Sequence, residues 1–164
     1  IVIHKTTHFT KEEMEGISKG FAGVDDIELL QIQEFTSWRA IRFQNENAAL
    51  FPIQRGTVIP LDKDTFLVWT HGSVQHDELA GRKLNYYKNG RGIPAPLLVK
   101  RFMGKSSAEE LVNEILMLTK MNWNSGDGLY KILPVTLDFA KTLSRVAKQD
   151  LVVYDRPYDF RYFM

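Results

Sequence analysis

The stretch Leu118–Lys148, LTKMNWNSGDGLYKILPVTLDFAKTLSRVAK, decides how this chain of 164 residues is organised. A helix that begins near Ser106 is expected to end around Lys120, because the following Met121–Tyr130 segment is rich in Asn, Gly, Ser and Asp. A second helix is expected to open at Pro134, whose fixed φ suits a first helical turn. The stretch is therefore predicted to be a helix, a polar loop and a second helix.

The second helix carries two stripes of different character. Its predicted buried face consists of small and aliphatic residues that recur mainly every three positions: Leu137, Ala140, Leu143, Val146 and Ala147. Lys141, Arg145 and Lys148 follow at i, i+4 and i+7 and form a basic ridge beside that face. A polar loop beside a basic ridge is suited to receive a phosphodiester backbone, although spacing alone favours an ordinary helix–loop–helix with a solvated basic face.

The same stretch resembles the C-terminal signature of PIWI domains in prokaryotic Argonaute proteins. Asn122-Trp123, Leu133-Pro134 and the triplet Phe139-Ala140-Lys141 match its Asn-Trp-type loop, its Pro-led helix and its aromatic-Ala pair. Further similarities follow in the family's order at Ile1–Phe9, Thr10–Phe21, Leu61–His71, Gly92–Lys100 and Arg161–Met164. The resemblance implies a partial ribonuclease H-like (PIWI) fold of the α/β class, a mixed sheet flanked by helices. It also implies that residues 1–164 form one domain, the C-terminal part of a PIWI domain whose upstream part is absent.

Composition narrows the classes of protein to which this chain can belong. Its 44% hydrophobic and 12% aromatic residues indicate a globular domain, and its net charge of +1 argues against a protein that coats nucleic acid non-specifically. The absence of cysteine excludes disulfides and thiolate metal sites. No stretch of consecutive apolar residues approaches the length of about eighteen that a membrane-spanning helix needs. We therefore expect a cytoplasmic protein with no membrane partner. The start at Ile1, inside an apparent strand and without an initiator Met, suggests a fragment.

Local signals predict the remaining helices and strands. Thr10 and Glu13 have the spacing of a capping box at the start of one helix, and two glycines end that helix. Ser106 or Ser107 is expected to cap a later helix whose first turn is acidic. Strands are predicted at Ile1–His4, Ile27–Gln33, Ala40–Phe43, Ala48–Ile53, Gly56–Leu61, Thr65–Thr70 and Ala95–Phe102.

The segment Leu79–Ala108 is the most polarised part of the chain. It has no acidic residue and contains Arg82, Lys83, Lys88, Arg91, Lys100, Arg101 and Lys105. With Tyr86 and Tyr87 interleaved, it has the composition of a loop that contacts phosphates and stacks on bases, with Lys88 and Arg91 as the contacts. The alternative is an exposed connection whose lysines give solubility, and the resemblance favours the first interpretation.

The resemblance implies that this chain does not cut nucleic acid. Slicing members hold two divalent metals with two aspartates, a glutamate on a mobile finger, and a final Asp or His. The first Asp and the Glu would lie upstream of Ile1. Thr6 stands where the third acid belongs, and Lys141 stands where the last ligand belongs. A hydroxyl is a poor Mg²⁺ ligand without carboxylates around it, and an ammonium repels the metal, so we expect no slicing activity.

The resemblance also assigns a binding role to the end of the chain. Arg145 and Lys148 are expected to face the 5′ phosphate of a guide strand, together with the terminal carboxylate of Met164. Because a carboxylate approaches a phosphate only when a cation lies between them, a Mg²⁺ or Mn²⁺ ion is expected to bridge the two. The further expected contacts to guide phosphates are Asn122, Asn124, Ser125, Lys141, Lys88 and Arg91. The expected function is to hold an RNA or DNA guide while base pairing recognises the target.

Two other functions stay open at this stage. An interaction subunit would complete a split ribonuclease H-like fold by offering an open sheet edge to the N-terminal remainder of the Argonaute or to another chain. A metal-dependent nuclease would use the cluster of His71, His76, Asp77 and Glu78, whose side chains are all suitable ligands.

Overall fold

The computed structural model describes residues 1–34, 36–73, 87, 92–121 and 132–149 of the chain. Ten helices and strands lie within these residues. In chain order they are β1 (Val2–Lys5), α1 (Lys11–Gly20), β2 (Glu28–Gln33), β3 (Phe43–Gln44), β4 (Asn47–Ala48), β5 (Val58–Pro60), β6 (Thr65–Val68), β7 (Leu97–Met103), α2 (Ala108–Leu118) and α3 (Val135–Ala147). None of these helices is long and apolar enough to cross a membrane.

Five of the strands form one mixed sheet, in the order β1-β2-β7-β6-β5. β1 and β2 are parallel, with Lys5 opposite Gln31, and the other neighbours are antiparallel. Parallel neighbours need a crossover connection, and α1 supplies it between these two strands. The sheet and its helices confirm the predicted α/β fold class. The carboxyl ends of β1 and β2 consequently lie at one edge of the sheet, which we call the carboxyl edge.

The core lies between the middle of the sheet and the last two helices. Its buried side chains come from β2, β6, β7, α2 and the start of α3: Leu30, Ile32, Phe66, Val68, Leu97, Val99, Leu111, Val112, Ile115, Leu133 and Leu137. The apolar run Phe66–Trp69 is buried on both faces of β6, as the sequence predicts. The central strands therefore form one wall of the core.

The predicted capping box at the start of α1 is present, and α2 has one as well. The Thr10 hydroxyl accepts from the Glu13 amide at 3.2 Å, and the Glu13 carboxylate accepts from the Thr10 amide at 2.8 Å. Ser107 makes the same reciprocal pair with Glu110. Ser107, one of the two residues predicted for the role, is the cap, and α2 begins at Ala108, close to the predicted start near Ser106.

Two local predictions are corrected. The predicted strands Ala40–Phe43 and Ala48–Ile53 shrink to the two-residue strands of a β3–β4 hairpin, because Asn45 and Glu46 adopt positive φ values (49° and 66°) in a two-residue turn.

On α3, Leu137 is buried but Ala140 is exposed. Steps of three residues rotate about 60° short of a full turn, so the predicted stripe winds around the helix instead of staying on one face.

A buried carboxylate ties the loop between β7 and α2 to β2. The Oε1 atom of Glu28 accepts hydrogen bonds from the backbone amides of Lys105 (2.6 Å) and Ser106 (2.7 Å). Gly104 allows this approach, since its φ is +129° and an added Cβ would lie 1.8 Å from Glu28 Oε2. The loop that starts α2 therefore requires glycine at this position.

We expect Gly104→Ala to lower the free energy of unfolding by about 3 kcal/mol, because it combines a strained φ with displacement of a buried, hydrogen-bonded carboxylate. Gly16→Ala is the matched control. An added Cβ at Gly16, inside α1, meets no atom within 4 Å, so a gain of about 0.5–1 kcal/mol is expected from helix propensity. Urea unfolding measures both changes, and equal stability of the two variants would contradict the role assigned to Gly104.

Candidate functional site

Thr6 lies just beyond the carboxyl end of β1, at the carboxyl edge of the sheet. Its carbonyl accepts a hydrogen bond from Gln31 Nε2 at 3.3 Å, which fixes the backbone of Thr6 to the neighbouring strand β2. The Thr6 side chain is half-buried. The position where the resemblance implies a catalytic acid is thus a well-anchored strand end that carries a hydroxyl.

The first turn of α3 is attached to the same strand. His4 Nδ1 is 2.9 Å from Thr136 Oγ1, which joins β1 to the start of the helix. The Thr70 hydroxyl donates to the Ile132 carbonyl at 2.7 Å and fixes the chain just before the helix. Leu137 completes the attachment in the core. These contacts determine where the rest of α3 lies relative to the carboxyl edge.

Lys141 forms an ion pair with Glu34. Glu34 follows the last residue of β2, so this contact brings α3 over the carboxyl edge from which Thr6 also extends. Both positions that the resemblance marks as degenerate therefore lie at one edge of the sheet. With side chains 44% and 21% exposed, this ion pair contributes less than about 1 kcal/mol to stability, so its main effect is on local charge.

Glu34 is the residue that sequence reasoning missed. It lies at the end of a strand, in a stretch without a recognisable motif, and its partner is 107 positions away along the chain. The sequence feature that could have identified Glu34 is an acidic residue directly after a strand that is parallel to β1. This feature can be recognised only when the pairing of β1 with β2 is known.

The donor set at the carboxyl edge does not fit a two-metal site. Among the described residues it includes the Thr6 hydroxyl and the carboxylates of Glu34 and Glu13, which form ion pairs with Lys141 and Lys5. Two divalent ions need several convergent carboxylates. No group of three or more metal-ligating side chains is found anywhere in the part of the chain that the structure describes.

The other two members of the basic ridge differ from Lys141. Arg145 and Lys148 are exposed, and within the described residues neither forms an ion pair. Arg145 is in the last turn of α3, where the helix dipole favours a cation. The ridge thus has one internally neutralised member and two cations that face solvent.

Two histidines are held in surroundings that keep them neutral. Burial lowers the pKa of His4 to about 4, and burial also lowers the pKa of His71. Neither His4 Nε2 nor His71 Nδ1 has a hydrogen-bond partner in the described structure. Both imidazoles are therefore uncharged at neutral pH.

Several predicted site residues fall outside the described residues. They are the loop residues Asn122, Asn124 and Ser125, the basic residues Lys88 and Arg91, the terminal Met164 with its expected bridging cation, and His76, Asp77 and Glu78 of the alternative metal cluster.

Structures of Argonaute proteins have a similar fold. Clostridium butyricum Argonaute, bound to a guide DNA and a 19-mer target DNA, superposes with a TM-score of 0.65 at 15% identity, over 90% of this chain and 17% of that chain. A structure of Aquifex aeolicus Argonaute gives 0.61 at 19% identity, over 96% of this chain and 19% of that chain. Another A. aeolicus Argonaute structure gives 0.60 at 24% identity, over 87% and 17%.

This chain spans less than a fifth of the length of those proteins. No family model and no curated protein sequence matches it. At these identities the likeness establishes the fold, a mixed sheet flanked by helices similar to that of Argonaute PIWI domains.

We expect the stability of the protein to fall as the pH is lowered from about 6.5 to 4. His4 is neutral in the folded state down to about pH 4, whereas in the unfolded chain it binds a proton below about pH 6.5. The contribution of His4 to the free energy of unfolding is therefore fully present above pH 6.5. It decreases on acidification, by up to about 3 kcal/mol.

Urea unfolding at several pH values tests this dependence. His4→Gln is expected to reduce the dependence of the free energy of unfolding on pH in the acid range. His71→Gln is expected to reduce the same dependence by a separate amount, because burial lowers the pKa of His71 as well. The double variant should show the shallowest slope. A His4→Gln variant with the full wild-type slope would contradict the assignment.

Proposed function

We propose that this chain is a nucleic-acid-binding module that holds a small guide strand for guide-directed target recognition and does not slice the target. The observation that carries the proposal is the Lys141–Glu34 ion pair at the carboxyl edge. By the resemblance, a slicing member carries a metal ligand at this position, and an ammonium that is paired with a carboxylate does not supply one.

Binding is supported by the charge that remains on α3. Arg145 and Lys148 present two solvent-facing cations on a helix whose first turn is fixed to β1 through Thr136. Fixed cations contact a phosphate backbone without a large ordering cost. The fold likeness adds to this support, since the Clostridium butyricum Argonaute holds both a guide and a target DNA.

The absence of slicing is supported by the chemistry of the two degenerate positions. Within the described part of the chain, a divalent ion beside Thr6 would meet no group of three metal-ligating side chains and would be repelled by the Lys141 ammonium. Glu34 would gain a metal only by giving up its ion pair, and one carboxylate does not clamp two ions. We therefore assign the carboxyl edge to binding of a phosphate backbone rather than to its hydrolysis.

The remaining contacts belong to the same proposal through the family resemblance. The Met164 carboxylate, with a bridging Mg²⁺ or Mn²⁺, would hold the guide's 5′ phosphate beside Arg145 and Lys148. The other proposed contacts to guide phosphates are Asn122, Asn124, Ser125, Lys88 and Arg91.

A second candidate, an interaction subunit, is favoured by the position of β1. Within the described residues, β1 is an edge strand that pairs only with β2, so the backbone groups on its other side have no strand partner. Such an edge accepts an added strand, from the N-terminal remainder of an Argonaute or from another chain. Light scattering separates the two functions, because a mass that stays monomeric at all concentrations argues against self-pairing.

We expect the protein to bind a 5′-phosphorylated guide more tightly than a 5′-hydroxyl guide in the presence of Mn²⁺. Arg145→Glu should weaken binding of the 5′-phosphorylated guide by about tenfold, equivalent to ~1.4 kcal/mol, because a cation near the phosphate becomes an anion. Lys63→Glu, which makes the same charge change on the exposed β5–β6 turn, is the matched control and should change little. Filter binding with both guides measures the preference.

A complementary labelled target, incubated with the loaded protein and Mg²⁺ or Mn²⁺, serves as the cleavage control and should remain intact. A product of defined length would contradict the proposal, and its loss in His76→Ala would assign cleavage to the alternative metal cluster. An Arg145→Glu variant with unchanged affinity would remove that residue from the guide site.

A further inference from the structure

The basic ridge of α3 begins with Lys141, next to the carboxyl edge. Lys141, Arg145 and Lys148 follow at i, i+4 and i+7, so the three positions lie within about 60° of one another around the helix. Lys141 is the nearest of them to the first turn of α3, where His4 Nδ1 is 2.9 Å from Thr136 Oγ1. A nucleic-acid strand that lies along the ridge therefore reaches Lys141 at the carboxyl edge.

Glu34 already holds the Lys141 ammonium in an ion pair. The Lys141 side chain is 44% exposed, so an anion that approaches from solvent can reach it. An ion pair with this degree of exposure is weak, because water screens both charges and two long side chains must be ordered. A phosphate group can therefore compete with the Glu34 carboxylate for Lys141.

The backbone on both sides of Glu34 is held by hydrogen bonds to β7 and to the residues just before it. Gln33, the last residue of β2, is paired with Leu98, and the Thr36 hydroxyl donates to the Pro96 carbonyl at 3.3 Å. Exchange of the Glu34 carboxylate for a phosphate thus requires a change of side-chain conformation and no movement of the strand. Because a carboxylate and a phosphate repel each other unless a cation lies between them, the two anions cannot share the site freely.

We propose that Glu34 is an intramolecular competitor of the bound strand, which must displace its carboxylate from Lys141. In the free protein this carboxylate neutralises Lys141, whereas Arg145 and Lys148 form no ion pair within the described residues. A strand is therefore attracted first by those two cations and gains the third only at the expense of the ion pair. This inference rests on the proposed nucleic-acid-binding function and adds a residue that limits the affinity of the same site.

Binding of a 5′-phosphorylated single-stranded oligonucleotide to the whole chain, measured by fluorescence anisotropy between about 50 and 200 mM salt, tests this competition. We expect Glu34→Gln to tighten binding about threefold to fivefold, because a phosphate then reaches Lys141 without displacing a carboxylate. Glu15→Gln removes the same charge from an exposed position on α1 and is the matched control. It should leave the affinity unchanged.

Lys141→Gln separates direct competition from long-range repulsion. Most of the gain from Glu34→Gln should disappear when Lys141→Gln is also present. The slope of log K against log salt concentration should also become shallower by about 0.7 in the double variant than in Glu34→Gln, the value for one phosphate contact on a single strand. If Glu34→Gln tightens binding equally with and without Lys141, Glu34 acts only by repulsion and the inference is wrong. Circular dichroism checks that all variants keep the fold.

The remaining outcomes also overturn the inference, each in a distinguishable way. If Glu34→Gln binds like the wild type, the carboxylate does not compete and the guide-binding function stands. If Glu34→Gln binds more weakly, the ion pair positions α3 for binding instead of opposing it. If neither the wild type nor Glu34→Gln binds the oligonucleotide, the proposed function is rejected together with the competition.

Discussion

The parallel pairing of β1 with β2 is the constraint on which the candidate site depends. It brings two strand ends to one edge of the sheet, so that Thr6, after β1, and Glu34, after β2, lie at the same edge although they are distant in sequence. The contact between His4 and Thr136 then fixes α3 against β1, and Lys141 reaches Glu34 from the helix. If β2 were displaced by one residue, the ladder would reverse the orientation of its side chains.

The electrostatics of this edge follow from that geometry. Lys141 and Glu34 cancel each other, whereas Arg145 and Lys148 remain as solvent-facing charges further along α3. The small net charge of +1 is therefore compatible with a local, one-sided basic surface. Under the proposed function, these exposed cations retain a phosphate backbone, and the Lys141–Glu34 ion pair disfavours a divalent ion at the carboxyl edge.

Features set by neighbouring residues were predictable from the sequence, and features set by tertiary contacts were not. The capping box at Thr10 and the helix cap at Ser107 depend on residues that are close in sequence, and both predictions are confirmed. A spacing of three residues predicts that Ala140 lies on the buried face of α3. Each step of three residues falls about 60° short of a full turn, so the positions move around the helix and Ala140 is exposed. No sequence motif marks Glu34, because its role arises from an ion pair with Lys141, which is 107 positions away in the sequence.

The central claim is that the carboxyl edge is a nucleic-acid site in which Thr6 and Lys141 replace metal ligands. Titration of Mn²⁺ into Thr6→Asp/Lys141→Asp, followed by electron paramagnetic resonance, tests it most directly. We expect the double variant to gain an Mn²⁺ site, in addition to any in the wild type, that Glu34→Gln weakens, because the two new aspartates and Glu34 would all lie at the carboxyl edge. A double variant that binds no more Mn²⁺ than either single variant would contradict the account.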